Sequence, residues 1–523
     1  NELNRKEYEE QKSVMISRSP VKLMKKGDAH SFNCRYLFLQ RIYYDLGLDK
    51  ICRSIQEKHS FEYDLNEVLS MLTYTRILYP SSKIAANQKA RTFLEQPSFQ
   101  LHDIYRALSV LSAESDLIQS RLYQNSQKIL ERRDDILYYD CTNYYFEIEQ
   151  EDELRRYGKS KQHQPLPIVG MGLFMDADGI PLAFSIYPGN QNEQPTLKPL
   201  EQKVLNDYGM SQVVVCTDAG LSSVQNRKFN DRKLGNVRIR SFITTQSIKM
   251  LPSDLEGVYD LNSLDDEKDY DKTFYKEKWI TEDISQKSRR QGNAPLEQRL
   301  IVTFSLKYRN YQRKVREDQI SRARKIIDSG SSGRKGKNQN DPNRFIAVDA
   351  ITEDGEVCAK KIPYLDETII SEEEKYDGFY AVCTNLENTP VSKIIQINHG
   401  RWEIEECFRI MKTEFQARPV YLQREDRIKA HFLTCFLALF IFRILEKRLD
   451  GKYTCGDIIR TLRDMKMYRP GEKLGYYPSY TRTDLTDALH EIAGFRTDYE
   501  VFTDAGMRKV IQASRKPVKK REK

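Results

Sequence analysis

Cysteine and histidine are scarce here, nine and seven in 523 residues. No two cysteines stand at C-x-x-C spacing, which excludes a zinc ribbon or finger and a dithiol redox centre. Thiols scattered at 34, 52, 141, 216, 358, 383, 407, 435 and 455 read as reduced residues of a cytosolic protein rather than a disulfide framework. No secretory leader is visible, and the opening Asn1 reads as a chain whose natural start lies upstream. An apolar run of roughly 20 residues, the length a membrane-spanning helix needs, is also missing. The most apolar stretch, Phe432 to Ile444, is interrupted by Thr434, Cys435 and Arg443 and reads as a buried core helix. Charge of one sign is not in large excess: 84 Lys+Arg face 76 Asp+Glu, a net of +8. That balance permits a nucleic-acid partner without requiring one. Nucleotide loops are absent too. Gly170-Met-Gly172 lacks a third glycine, and the Gly330–Lys337 stretch runs into Asn338 where a phosphate loop needs Ser or Thr.

What is present divides along the chain. Residues 1–130 read as a helical region, with apolar residues at helical spacing (Ile51, Ile55; Val68, Leu69, Leu72) broken at Pro80 and Pro97. It has no clear helix-turn-helix signature, so a DNA-binding role there is inferred from context. From Asp135 the texture changes to strand-like runs at 136–142 and 167–175, then a hairpin turn at Asp176-Ala-Asp-Gly179 and a returning strand at 180–187. A helix at about 194–207 leads to Val213-Val-Val-Cys-Thr217, a run suited to a strand buried on both faces. A helix near 221–231 and a strand near 237–245 follow. This is the element order of an RNase H-like α/β half-domain.

Residues 246–375 are very polar and read as a β-rich insertion, with strands near Trp279, Arg299–Phe304, Phe345–Val348 and Gly378–Thr384 and a low-complexity loop at 330–340. Helices at Val391–Phe415 and about 426–449 complete the catalytic region, placing it at 131–245 and 376–450. Residues 451–523 form a helical carboxyl-terminal region. It ends in a basic arm, Arg515 to Lys523, which reads as a solvated charge run or a grip on phosphates.

Three acids stand out by placement. Asp140 lies within one apolar strand and Asp218 ends another. Taken singly, each is also what a strand cap looks like. Side by side, two buried carboxylates repel and are driven towards protonation. A pair of hard divalent cations, Mg²⁺ or Mn²⁺, removes that penalty and suits in-line phosphoryl transfer. Near the third position stand Glu403, Glu405 and Glu406. At ~100° per residue, Arg401, Glu405, Phe408 and Lys412 share a face, beside the apolar stripe Ile404, Phe408, Met411, Phe415. Glu405 therefore borders the core, while its two neighbours point away. A carboxylate between two cations is also what a helical salt-bridge set looks like.

These residues resemble the DDE transposases of bacterial insertion sequences, in the subgroup with a Tyr-x2-Arg-x3-Glu-x6-Lys signature. Arg401, Glu405 and Lys412 match its spacing. Asp140-Cys-Thr142 is similar to the first acidic motif, Asp218-Ala-Gly220-Leu to the second, and Arg427-Ile-x-Ala-His431-Phe to the segment that follows. The signature tyrosine is replaced by Asn398. The resemblance implies a catalytic and metal-binding triad of Asp140, Asp218 and Glu405 with two Mg²⁺ ions. It also implies phosphate contacts from Arg401, Lys412 and Asn398, double-stranded DNA partners (terminal inverted repeats and target DNA), and a homodimer in the DNA complex. The implied activity is cleavage at element ends followed by strand transfer, in a bacterial cytoplasm at the nucleoid, with no membrane partner. Two other readings stay open, a catalytically silent DNA-binding relative and an RNase H-fold nuclease that does not join strands. Among weaker signals, Trp402 is expected to pack and His431 to be structural. The cation-rich loop Tyr157–His163 either touches DNA or is merely exposed.

Overall fold

The helical spacing near the amino terminus becomes a set of short capped helices. The computed structural model describes residues 20–21, 23, 26–248, 270–282, 295–329, 340–351, 357–471 and 474–517. Its first helices are α1 (Tyr36–Asp45), α2 (Leu48–Gln56), α3 (Leu65–Leu78), α4 (Lys83–Ala90), α5 (Leu101–Ala113) and α6 (Ser115–Ile129). Asp64 starts α3 by accepting the Asn66 and Glu67 N–H groups at 2.8 and 3.1 Å. Ser82 starts α4 by accepting from Ala85 N–H at 3.2 Å. Such caps contribute ~1 kcal/mol each, and the prolines at 80 and 97 fall between helices as expected.

The strands come next: β1 (Ile136–Tyr145), β2 (Ile168–Asp176) and β3 (Pro181–Pro188). Asp176 closes the β2–β3 hairpin. Its Oδ1 accepts from the Asp178 and Ile180 N–H groups at 3.0 and 2.9 Å, and its Oδ2 from Arg132 Nε at 2.6 Å. Gly179 takes the left-handed conformation, φ 76°, that completes the turn. Then follow α7 (Leu197–Tyr208), β4 (Val213–Thr217), α8 (Val224–Phe229), β5 (Val237–Gln246), β6 (Thr273–Glu282), β7 (Leu296–Ser305), α9 (Leu306–Asp328), β8 (Ile346–Ile351), β9 (Val357–Leu365), α10 (Glu367–Glu374) and β10 (Phe379–Thr384). The remainder is mainly helical: α11 (Val391–His399), α12 (Trp402–Arg409) running into a π turn at Ile410–Glu414, α13 (Glu425–Arg448), α14 (Cys455–Asp464), α15 (Asp484–Ala493) and α16 (Asp504–Ser514), with short strands at Lys466–Tyr468 and Tyr477–Pro478 that pair with Ser31–Asn33 in a small sheet.

The chain forms two compact units. One comprises residues up to 134, 139–210 and 402 onward; the other comprises 135–138 and 211–401. In the first, β1 is hydrogen-bonded to β2, and β2 pairs antiparallel with β3, Leu173 opposite Phe184. Helix α13 runs through its core. Phe436 packs on Phe184 with ring centroids 5.1 Å apart, and Phe432 on Tyr144 at 4.9 Å. Among the described residues α13 is the one helix long and apolar enough to cross a membrane, and most of it is buried by the protein itself. Each buried Phe or Leu contributes about 1.5–3 kcal/mol.

The second unit is built on a mixed sheet. Residues 136–138 of β1 run parallel to β4, Ile136 opposite Val214 and Tyr138 opposite Cys216. β4 runs parallel to β5, and β10, β7 and β6 continue antiparallel. The core of this unit is Phe242, Leu300, Val302, Phe304, Phe379 and their neighbours. A smaller cluster, Ala323, Phe345, Ile346 and Ile370, seats α9 and α10.

Two differences from the sequence expectation have physical causes. Of the strands expected with the insertion, β6, β7 and β8 fall within 246–375 and β10 just after it, and β6 and β7 extend the sheet through β10. The insertion also contains the 23-residue α9, which has no apolar stripe to announce it. The helix expected at Val391–Phe415 is broken at Gly400. There Tyr138 OH donates to the Ile397 carbonyl at 2.8 Å, and a Cβ at 400 would run into that hydroxyl. The low-complexity loop at 330–339 and the end of the basic arm at 518–523 lie outside the described residues.

Candidate active site

In the first unit, β1 carries Asp140 between the buried Tyr139 and Cys141. β-branched and aromatic residues make this run a strand, and Asp140 is the one half-buried residue in a strand buried on both faces from Ile136 to Tyr144. Its Oδ1 accepts from the Cys141 N–H at 2.7 Å, which orients the carboxylate. Cations gather nearby. Lys412, from the π turn, hydrogen-bonds Thr142. Lys161 donates to the Cys141 carbonyl and faces Glu193 at 3.5 Å. Burial pushes the Lys412 ammonium down to about 8, helped by Arg418 and Lys161 and opposed by Asp140 and Glu193. Lys161 belongs to the loop whose role the sequence left open.

Helix α12 supplies the glutamates. Ile404, Cys407, Phe408, Ile410 and Met411 are buried, so the expected apolar stripe is the packed face. Glu403 is tied to Arg443, which also holds Glu446 at 2.9 Å and the Gly179 carbonyl at 2.8 Å. Glu406 pairs with Arg409 at 2.6 Å, and this holds its carboxyl below the usual range. Glu405 is exposed, and among the described residues it has no ion pair. Helical-wheel geometry predicts that Glu405 borders the core and its two neighbours point away, but Glu405 is exposed while Glu403 and Glu406 are half-buried, because buried Cys407 turns the packed face of α12 towards Glu403. Arg401 lies in the turn before α12, and the π turn, with Phe415 N–H on the Ile410 carbonyl at 3.0 Å, shifts the phase before Lys412. Trp402, expected to pack, is 59% exposed. His431 is buried and structural as expected, its Nε2 3.1 Å from the Ala417 carbonyl.

The second unit holds the other expected residues. Asp218 ends β4, and its Oδ1 caps a short 3-10 turn by accepting from the Leu221 N–H at 3.0 Å. The Thr244 hydroxyl donates to its carbonyl at 3.2 Å. Gly220 keeps this turn open, since a Cβ there would come within 3.3 Å of Asp218 Oδ2. Arg401 is half-buried at the end of α11. Asn398 is 6% exposed, and its Nδ2 donates to Tyr380 OH at 3.1 Å. Tyr380 OH in turn lies 2.7 Å from the Thr245 hydroxyl. A phenol therefore stands beside the position where the signature tyrosine is missing. Sequence reading passes over it because it comes from a strand, β10, and not from the helical motif.

One further group has metal-type ligands close together: Asp487, His490 and Asp498. Arg482 Nε reaches Asp487 at 2.8 Å, and Arg496 bridges Asp487 and Asp498 at 2.5 Å to each. Guanidinium groups already supply the positive charge, so this is an ion-pair network.

Comparison with known proteins adds one strong match. The family described as Transposase DDE domain matches residues 146–441. That span is more than half of the chain; it contains Asp218, Arg401, Glu405 and Lys412, and it starts just after Asp140. No curated protein matches the sequence. Among solved structures, a piggyBac transposase synaptic complex with hairpin DNA, determined by cryo-EM, is similar at TM-score 0.37 and 9% identity, over 94% of this chain and 86% of that one.

Proposed function

Because this chain belongs to the transposase DDE-domain family, whose members use divalent metal ions, we propose that it cleaves DNA at the ends of a mobile element and joins those ends to target DNA. The family match over 146–441 carries the reading. We assign the metal-holding triad to Asp140, Asp218 and Glu405. The donor chemistry fits: all are carboxylates, the hard oxygen ligands that Mg²⁺ or Mn²⁺ prefers. Backbone N–H groups orient both aspartates, and Glu405 is the α12 glutamate without an ion pair. When bound, two such ions activate the attacking oxygen and stabilise the leaving one in an in-line displacement.

The chain's own groups handle the phosphates. Lys412, anchored on Thr142, and Arg401 supply positive charge for the scissile strand. On this reading the Tyr380 phenol, held 3.1 Å from the Asn398 amide, substitutes for the tyrosine that the Tyr-Arg-Glu-Lys subgroup carries at position 398. The same reading places the protein at a bacterial insertion sequence and at the nucleoid, with double-stranded DNA as partner and a homodimer holding two ends.

The test is cleavage and strand transfer with a labelled end sequence and a plasmid target. The expected outcome is Mg²⁺-dependent nicking and joining that Asp140→Asn, Asp218→Asn and Glu405→Gln each abolish while DNA binding persists. Nicking without joining identifies a nuclease. A wild-type chain that binds and never cuts identifies a silent relative. Full activity in any of the three variants refutes the triad.

A further inference from the structure

In the first unit, α3, α4, α13 and the segment after the π turn wall a cleft of about 540 Å³. Four basic side chains line it: Arg76, Lys83, Arg418 and His431. Among the described residues that line it, none is acidic. Two other buried cations face carboxylates, Arg132 with Asp176 and Arg316 with Asp377. The cations of this cleft face none among its described lining residues. Arg76, 5% exposed, is held by neutral carbonyls, those of Phe415 and Ser81 at 3.2 Å each. Lys83 is also 5% exposed, and its Nζ is buried without a hydrogen-bond partner, as is one terminal nitrogen of Arg418. An unpaired buried charge is costly, and Arg76 and Lys83 repel each other across the cleft wall. Lys83 is the first residue of the eight-residue α4, so the positive end of that helix adds to the field.

We propose that this cleft is a phosphate-binding site, with Lys83 Nζ and the Arg418 guanidinium as donors and Arg76 as a fixed positive charge behind them. The titration behaviour of the cluster agrees. Burial and Arg76 hold the Lys83 ammonium down to about 7, the nearby Cys435 thiol opposing weakly. Burial, Arg76 and Lys83 keep His431 neutral. A bound dianion reverses that pressure and draws a proton onto Lys83. Arg418 also lies close enough to Lys412 to depress its ammonium. The phosphate comes either from a DNA backbone or from free phosphate in solution. The DNA source rests on the transposase reading; the cleft chemistry does not.

The experiment uses the full chain and two probes, inorganic phosphate and a short DNA duplex. Its variants are Lys83→Met, which keeps the volume and removes the charge, and Ile84→Glu, which sets a carboxylate at the 50%-exposed rim position without touching the core. Calorimetry at neutral pH and low salt should show saturable phosphate binding by the wild type with proton uptake, lost in both variants. If the DNA backbone is the source, duplex affinity also falls about tenfold and its salt dependence shallows. If free phosphate is the source, phosphate binding is lost and duplex affinity stays. Wild-type behaviour of both variants towards both probes overturns the site. Should Lys83→Met fail to fold, Ile84→Glu decides alone. Phosphate binding that survives in a chain unable to cut DNA leaves the cleft standing and removes only the transposase reading.

Discussion

Helices α9 and α13 are nearly equal in length, 23 and 24 residues, and are stabilised in opposite ways. α13, in the first unit, buries every residue from Ala430 to Phe442. α9, in the second, buries Leu306, Arg316, Gln319 and Ala323 and turns a basic surface to solvent. One is held by apolar area and packing. The other is held by one small cluster and by Arg316, whose guanidinium grips Asp377 with one N–O distance of 2.7 Å. Length and helicity therefore say little about what keeps a helix in place. What its buried positions contain says more.

The sharpest test truncates both helices. Phe436→Ala in α13 should cost ~3–5 kcal/mol, because it empties a space already closed around Phe184 and Phe440. Tyr311→Ala on α9 removes a ring that is 64% exposed and should stay within ~0.5 kcal/mol. Chemical denaturation measures both, and equal losses would break the contrast.

A smaller effect is expected where α9 is actually anchored. Asp377→Ala leaves the buried Arg316 with only the exposed Glu374 at 3.4 Å, the Asp377 and Arg316 side chains being 4% and 7% exposed, at a cost of ~3 kcal/mol. The double change Arg316→Met with Asp377→Leu should recover most of that loss, since no charge then stays buried. Hydrogen exchange along α9 would localise it. A double variant no better than the single would show that packing, and not the ion pair, holds this helix.

The same contrast explains what the sequence made legible. α13 announces itself by hydropathy, and β1 and β4 by short runs such as Val213–Thr217 ending beside an acid. α9 does not, because two of its four buried residues are Arg316 and Gln319, which no periodicity search scores as core. At the candidate site, Asp140, Asp218 and the three glutamates of α12 were visible as residue types in place. The pairing that distinguishes Glu405 was not, since Arg443, which occupies Glu403, lies 40 residues away. Tyr380 beside Asn398, and Lys83 beside Arg418, are likewise joined only by folding.

Buried charge gives the last and smallest test of the comparison. Arg132 in the first unit and Arg316 in the second are buried against carboxylates, whereas Lys83 lines a cleft with no acid among its described lining residues. Burial and Arg76 push the Lys83 ammonium down to about 7 in the folded chain, from an ordinary 10.5 when unfolded. Between those values the unfolded chain holds a proton that the folded one has shed. Stability should therefore rise with pH across that window, by up to ~1.4 kcal/mol per unit. Wild type and Lys83→Met, denatured at pH 7 and pH 9 in a phosphate-free buffer, should differ by that slope, because titrations elsewhere cancel in the difference. Adding phosphate should flatten it by keeping Lys83 protonated in the native state. A wild type that tracks Lys83→Met at both pH values would mean that its ammonium finds a partner after all.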